Sequence, residues 1–155
     1  MKAQLICAAA VAAALCVSVT AAAALRETRL SPADIVALAK GDAGPGTSGV
    51  SGIQTTVLDG DPTMAGPYTI EIRVPPHTRI AAHTHRDDRS AVVVSGKWFF
   101  GYGATNSEAK VKLLPPGSFY TEPADAPHFA LTRDEPAVVY ITGQGPTDTR
   151  FTEAH

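Results

Sequence analysis

From residue 53 onward, apolar and polar positions alternate with a period of two, the mark of strands that bury one face. Residues 68–74 (YTIEIRV) alternate most cleanly, and Pro75-Pro76 ends the run. The same pattern predicts strands over residues 53–58, 79–85, 91–94, 98–102, 111–114, 118–121, 129–132 and 137–142. Each is short and mostly bounded by Gly, Pro, Asp or Ser. No long helix falls between them, so parallel βαβ units do not fit and an antiparallel sandwich or barrel does. One helix precedes the strands. Ser31 caps it, Pro32 suits its first position, Asp34 its first turn, residues 35–39 fill it, and Lys40-Gly41 closes it. The stretch GDAGPGTSGVSG, residues 41–52, is expected to be a flexible connection.

The first 24 residues follow a different pattern. Lys2 is followed by an apolar run over residues 5–19, broken only by Ser18, and then by Ala21 to Ala24. This is the layout of a cleaved secretory signal peptide, which places the protein in the periplasm or outside the cell. The run is shorter than the ~20 residues that span a bilayer, so no membrane association is expected after cleavage. The organisation read from the chain is therefore a signal peptide over 1–24, an arm with helix and linker over 25–52, and a β-barrel domain over 53–155. Both cysteines, Cys7 and Cys16, lie in the leader. Thiol chemistry, disulfides and sulfur ligands are thereby excluded from the rest. The chain carries a net charge of −2 with no basic cluster, which argues against nucleic acid as a partner. It contains no G-x-G-x-x-G, phosphate loop or G-x-S-x-G, so nucleotide and serine-hydrolase readings have no footing.

The candidate chemistry is in the histidines. His83 and His85 form H-x-H on a predicted strand, where residues two apart share a face. Imidazole is the commonest metal ligand among side chains, although a pair of surface histidines would read the same way. Apolar residues flank the pair at 80–82 and 91–94, and His128 sits in a similar setting at the start of another strand. Three histidines at one barrel mouth would leave open positions for water, oxygen or substrate. His77 follows two prolines and is expected to be solvated; His155 ends the chain.

Residues 77–96 and 117–132 resemble the two motifs of the cupin superfamily. The first motif, G-x5-H-x-H-x3-E-x6-G, is matched at His83, His85 and Gly96. The second, G-x5-P-x-G-x2-H-x3-N, is matched at Gly117, Pro123 and His128. The resemblance implies an all-β fold, an antiparallel jelly-roll barrel (double-stranded β-helix), with one short N-terminal helix ahead of it. It also implies a divalent transition metal (Fe, Mn, Ni, Cu or Zn) held by His83, His85 and His128. Dioxygenase-like or isomerase-like chemistry on a small organic molecule, as in germin-like and quercetinase-like proteins, would follow, with a non-catalytic metal- or ligand-binding protein as the alternative. Cupins often form homodimers through a strand edge, and the arm and helix are placed to cover such an edge.

Four positions depart from the motifs: His77 and Asp125 replace glycines, Thr132 replaces asparagine, and Arg89 replaces the acidic ligand. Aspartate tolerates left-handed backbone better than most residues. A guanidinium has no lone pair to offer a metal. The ion is then held by the histidines and water, or Glu122, Asp87 or Asp88 supplies a carboxylate, or no metal binds. Arg89 either points inward, to orient an anionic substrate or pair with Glu122, or reaches out to water. Glu122 and Tyr120 are the acid/base candidates. Trp98, Phe100 and Tyr102 share one strand face, mostly as core, with Tyr102 or Tyr120 available to line a pocket.

Overall fold

The structure, a computed structural model, describes residues 26–42 and 47–152. The predicted signal peptide with Cys7 and Cys16, and also His155, lie outside the described residues.

The helix α1 (Pro32–Ala37) begins as expected. Ser31 Oγ accepts from Asp34 N, and the Asp34 carboxylate accepts from Ser31 N at 2.7 Å, a reciprocal cap. It ends two residues earlier than its apolar run suggests, because only Ile35 has a core to enter. Ten strands follow. They are β1 (Gln54–Gly60), β2 (Gly66–Val74), β3 (Arg79–Thr84), β4 (Arg89–Gly96) and β5 (Trp98–Tyr102), then β6 (Lys112–Leu114), β7 (Phe119–Glu122), β8 (His128–Leu131), β9 (Ala137–Gly145) and β10 (Arg150–Phe151). They form two five-stranded antiparallel sheets, ordered β1-β2-β9-β4-β7 and β10-β3-β8-β5-β6. The all-β jelly-roll architecture expected from the sequence is therefore what the chain adopts. Inward side chains of both sheets, among them Tyr68, Ile70, Val93, Trp98 and Val139, make one core.

Two parts of the sequence reading are corrected. Arg89 falls outside the strand expected over 91–94, but it opens β4 in direct register with Glu122 of β7. Residues 47–52 are not a free linker. Gly41 and Thr55 exchange backbone hydrogen bonds of 2.8 and 2.9 Å, Thr149 Oγ1 donates to Thr47 O at 2.7 Å, and Thr47 and Ser48 are buried. Part of the arm thus lies on this chain's own β1 edge. The polar composition misled because these residues are anchored through main-chain atoms.

Both motif glycine replacements, His77 and Asp125, take the left-handed backbone conformation, with φ of 57° and 59°. Thr132 stands in for the motif asparagine by tying a turn to β8: its hydroxyl donates to Pro75 O and accepts from Thr78 N. His77 is exposed, as expected, with only a distant Asp134 carboxylate at 3.9 Å.

Candidate metal centre

The alternation of a strand and the register between strands bring the histidines together. His83 on β3 lies directly opposite His128 on β8, and His85 follows two residues on. All three are buried, at 5%, 1% and 0% exposed for His83, His128 and His85. Ring centroids are 4.5 Å apart for His83–His128, 4.8 Å for His83–His85 and 5.2 Å for His85–His128. One nitrogen from each ring lies within 4.8 Å of the others.

The backbone sets the tautomers. His83 Nδ1 lies 2.7 Å from Ala81 O, His128 Nδ1 lies 3.0 Å from Ala126 O, and His85 Nδ1 contacts Asp148 O. A carbonyl only accepts, so each Nδ1 carries the proton and each Nε2 keeps its lone pair. This is the arrangement that orients metal-ligating imidazoles. His128 Nε2 is buried with no hydrogen-bond partner. Burial disfavours imidazolium throughout. It is the main reason His83 is pushed down to about 4, with His128 adding to it, and His85 down to about 3, with Arg89 adding to it. His128 is lowered for the same first reason. The rings are neutral near pH 7, the state that binds metal.

The facing sheet contributes Arg89 and Glu122, 5% and 3% exposed. Arg89 Nε donates to Glu122 Oε2 at 2.6 Å, and Arg89 Nη2 also contacts that oxygen. Burial works against the Glu122 charge, but Arg89, then His128 and His85, outweigh it and hold the carboxyl down to about 2. Glu122 Oε2 lies 3.6 Å from His128 Nε2 and 3.8 Å from His85 Nε2. At metal–ligand distances near 2.1 Å, two donors of a tetrahedral site sit about 3.4 Å apart. The three imidazole nitrogens, up to 4.8 Å apart, could hold a transition ion once they draw closer together, and Glu122 Oε2 stands beside two of them. One contact opposes it: Arg89 Nη2 lies 2.7 Å from His85 Nε2 and competes for that lone pair.

The structure places the other predicted residues as follows. Arg89 does not reach out to water, and its guanidinium is taken up by Glu122 and His85, which leaves little of it for an anionic substrate. Asp87 and Asp88 do not join the cluster. Asp87 accepts from Tyr68 Oη at 2.9 Å and Thr147 Oγ1 at 2.6 Å, and Asp88 accepts from Ala124 N at 2.8 Å. Tyr120 lines the cavity, where its hydroxyl accepts from Trp98 Nε1 at 3.2 Å. Burial, with Glu122 next, raises it well above the ordinary phenol range, so it stays a neutral phenol. Tyr102 is half exposed and donates to Thr121 O at 2.6 Å instead. Sequence reasoning missed Tyr68, which reads as plain core. Its hydroxyl links Asp87 to the Arg89 neighbourhood, and burial first of all pushes it up to about 12.

The central cavity has a volume of about 30 Å³, room for a water or two. His83, His128, Arg89, Glu122 and Tyr120 line it, with Ile72, Ile80 and Ile141 as apolar wall and Thr47 and Ser48 from the arm.

No protein-family model matches the chain, and no curated protein matches it in sequence. Solved structures are similar to it. A chain from the crystal structures of the DMSP lyases RdDddP and RnDddQII superposes with a TM-score of 0.55 at 22% identity, over 65% of this chain and 53% of that one. The likeness thus spans about half of that protein's length. An RmlC-like cupin from Shewanella frigidimarina gives 0.56 at 15% identity, over 77% and 90%. The polyketide cyclase RemF from Streptomyces resistomycificus gives 0.65 at 13% identity, over 84% and 88%. At such identities the likeness concerns the fold.

Proposed function

We propose that this chain, whose barrel has the fold of the cupins, is an exported metal-dependent enzyme acting on a small organic molecule. The observation that carries the reading is the shared tautomer of three buried imidazoles, with the Nε2 of His128 left without any other partner. Three imidazole nitrogens with a carboxylate suit Fe, Mn, Ni, Cu or Zn better than Ca or Mg. In this reading His83, His85 and His128 hold the ion, Glu122 completes the set, and Arg89 fixes Glu122. A bound ion supplies Lewis acidity and, if redox-active, electrons to the reaction. Glu122, with its low pKa, remains a carboxylate and serves as an anchor. Tyr120 remains a phenol and serves as a hydrogen-bond donor toward the cavity. Dioxygenase-like and isomerase-like chemistry both suit such a site, because fold does not fix reaction.

The small cavity and the Arg89–His85 contact favour a second reading, a non-catalytic protein that binds metal or a small ligand. Elemental analysis of purified protein, with His128→Ala as control, followed by oxygen uptake on phenolic substrates, separates the two. Bound Fe, Mn, Ni or Cu with turnover supports the enzyme. Zinc or no metal, without turnover, supports the binder, and wild-type protein that takes up no transition metal overturns the enzyme. Export is tested separately: protein recovered from the periplasm or medium should begin near Leu25, and retention of residues 1–24 would contradict it.

A further inference from the structure

Among the described residues, three buried side-chain polar atoms have no hydrogen-bond partner, and two of them belong to residues lining the central cavity: His128 Nε2 and Ser48 Oγ. A buried hydroxyl without a partner costs stability, and roughly nine in ten such groups are paired. An orphan hydroxyl at a cavity wall is satisfied by a water or by a polar group of a ligand that enters the cavity. Ser48 is 7% exposed and comes from outside the barrel strands. The segment that carries it is anchored on both sides, by the Gly41–Thr55 backbone pair and by Thr149 Oγ1 donating to Thr47 O. Gly49 and Gly52 on its far side take positive φ, 66° and 88°. The chain is bent and pinned so that a serine rests on the cavity.

The rest of the wall is apolar or has at least one partner. Ile72, Ile80 and Ile141 offer no polar atom, Tyr120 Oη accepts from Trp98, and Arg89 and Glu122 hold each other. The two buried atoms with no partner at all are a lone pair, on His128, and a hydroxyl, on Ser48, while Tyr120 keeps its O–H to donate and His83 Nε2 its lone pair. We propose that Ser48 is a ligand-contacting residue, whose hydroxyl donates to the carboxylate or carbonyl oxygen of a small molecule bound at the histidine centre. This rests on the metal reading of that centre and assigns the arm a share in the site, so the barrel alone is an incomplete binding pocket.

The test uses cobalt(II)-loaded protein and formate as the probe, with binding followed by the visible spectrum of the ion. Ser48→Ala should retain the cobalt content of the wild type and bind formate about ten- to a hundredfold more weakly, as expected for loss of one hydrogen bond to a charged acceptor. Its melting temperature without ligand should equal or exceed that of the wild type, because the variant removes an unsatisfied group. A structural role for the hydroxyl would lower it instead. Unchanged formate affinity in a cobalt-loaded variant overturns this inference and leaves the metal reading standing. Wild-type protein that takes up no cobalt overturns both.

Discussion

Arg89 and Glu122 face each other across two neighbouring strands and share a buried ion pair. The position where the motif calls for an acid carries an arginine, and the acid stands opposite it, one strand away, at Glu122. Removing one partner of a buried pair leaves an uncompensated charge. Glu122→Ala should therefore lose about 3–5 kcal/mol in urea unfolding, while the double variant Arg89→Met/Glu122→Leu should recover most of that. Equal losses in the single and double variants would show that the pair is not coupled. His77 carries an opposite expectation. It holds φ of 57° without close side-chain partners, so His77→Gly should raise stability by about 0.5–1 kcal/mol and leave metal content unchanged.

Acid sensitivity also belongs to single residues. His83 and His85 are held near 4 and 3, below the ordinary 6.5. The unfolded chain then binds protons first as pH falls, so stability is full above about 6.5 and declines toward 4 and 3. Glu122, depressed to about 2, has the usual carboxylate behaviour, and its contribution is lost between about 4.5 and 2. Urea midpoints measured in steps from pH 7.5 to 4.5 should begin to fall near 6.5 in metal-free protein. A flat profile to pH 5 would contradict the buried, neutral state of the rings. At this scale the three histidines and the Arg89–Glu122 alternative were legible from motif spacing. The Tyr68–Asp87 contact was not, because it depends on how β2 and the turn before β4 meet in space, which neither local pattern contains.

Elements were legible where their own pattern decides them. All nine strands read from alternation are present, and β5 has the boundaries expected. The misses are strands made by their neighbours. β10 has two residues and exists by pairing Phe151 with His83 and Arg150 with Thr84 of β3. β4 starts at Arg89 because Glu122 opposite it makes a charged strand residue tolerable in the interior. Close approach between elements gives a further prediction. A Cβ on Gly143 of β9 would come within 2.4 Å of Asp87 Oδ2 and 2.6 Å of Tyr68 Oη. Gly143→Ala should thus break the Tyr68–Asp87 bond and cost stability by roughly 1–3 kcal/mol, the range for overpacking. Chemical denaturation measures the loss, and a variant within about 0.5 kcal/mol of wild type would mean that the network yields easily.

For the whole molecule, the decisive feature is that one barrel gathers groups from both sheets and from the arm ahead of them. His83 and His128 come from one sheet, Arg89, Tyr120 and Glu122 from the other, and Thr47 and Ser48 from the segment before β1. Such convergence depends on closure of the fold, so a sequence shows it only through a motif whose spacing records that closure. The polar arm has no such motif, which is why its place in the cavity wall emerged only with the structure. In the proposed function the barrel clasps a single ion between the three imidazoles. Anomalous diffraction from a crystal of cobalt- or iron-loaded protein tests it directly. The expected result is one peak about 2.0–2.2 Å from the Nε2 atoms of His83, His85 and His128. A peak elsewhere, or a loaded crystal in which Arg89 still donates to His85 and no peak lies between the rings, would contradict it.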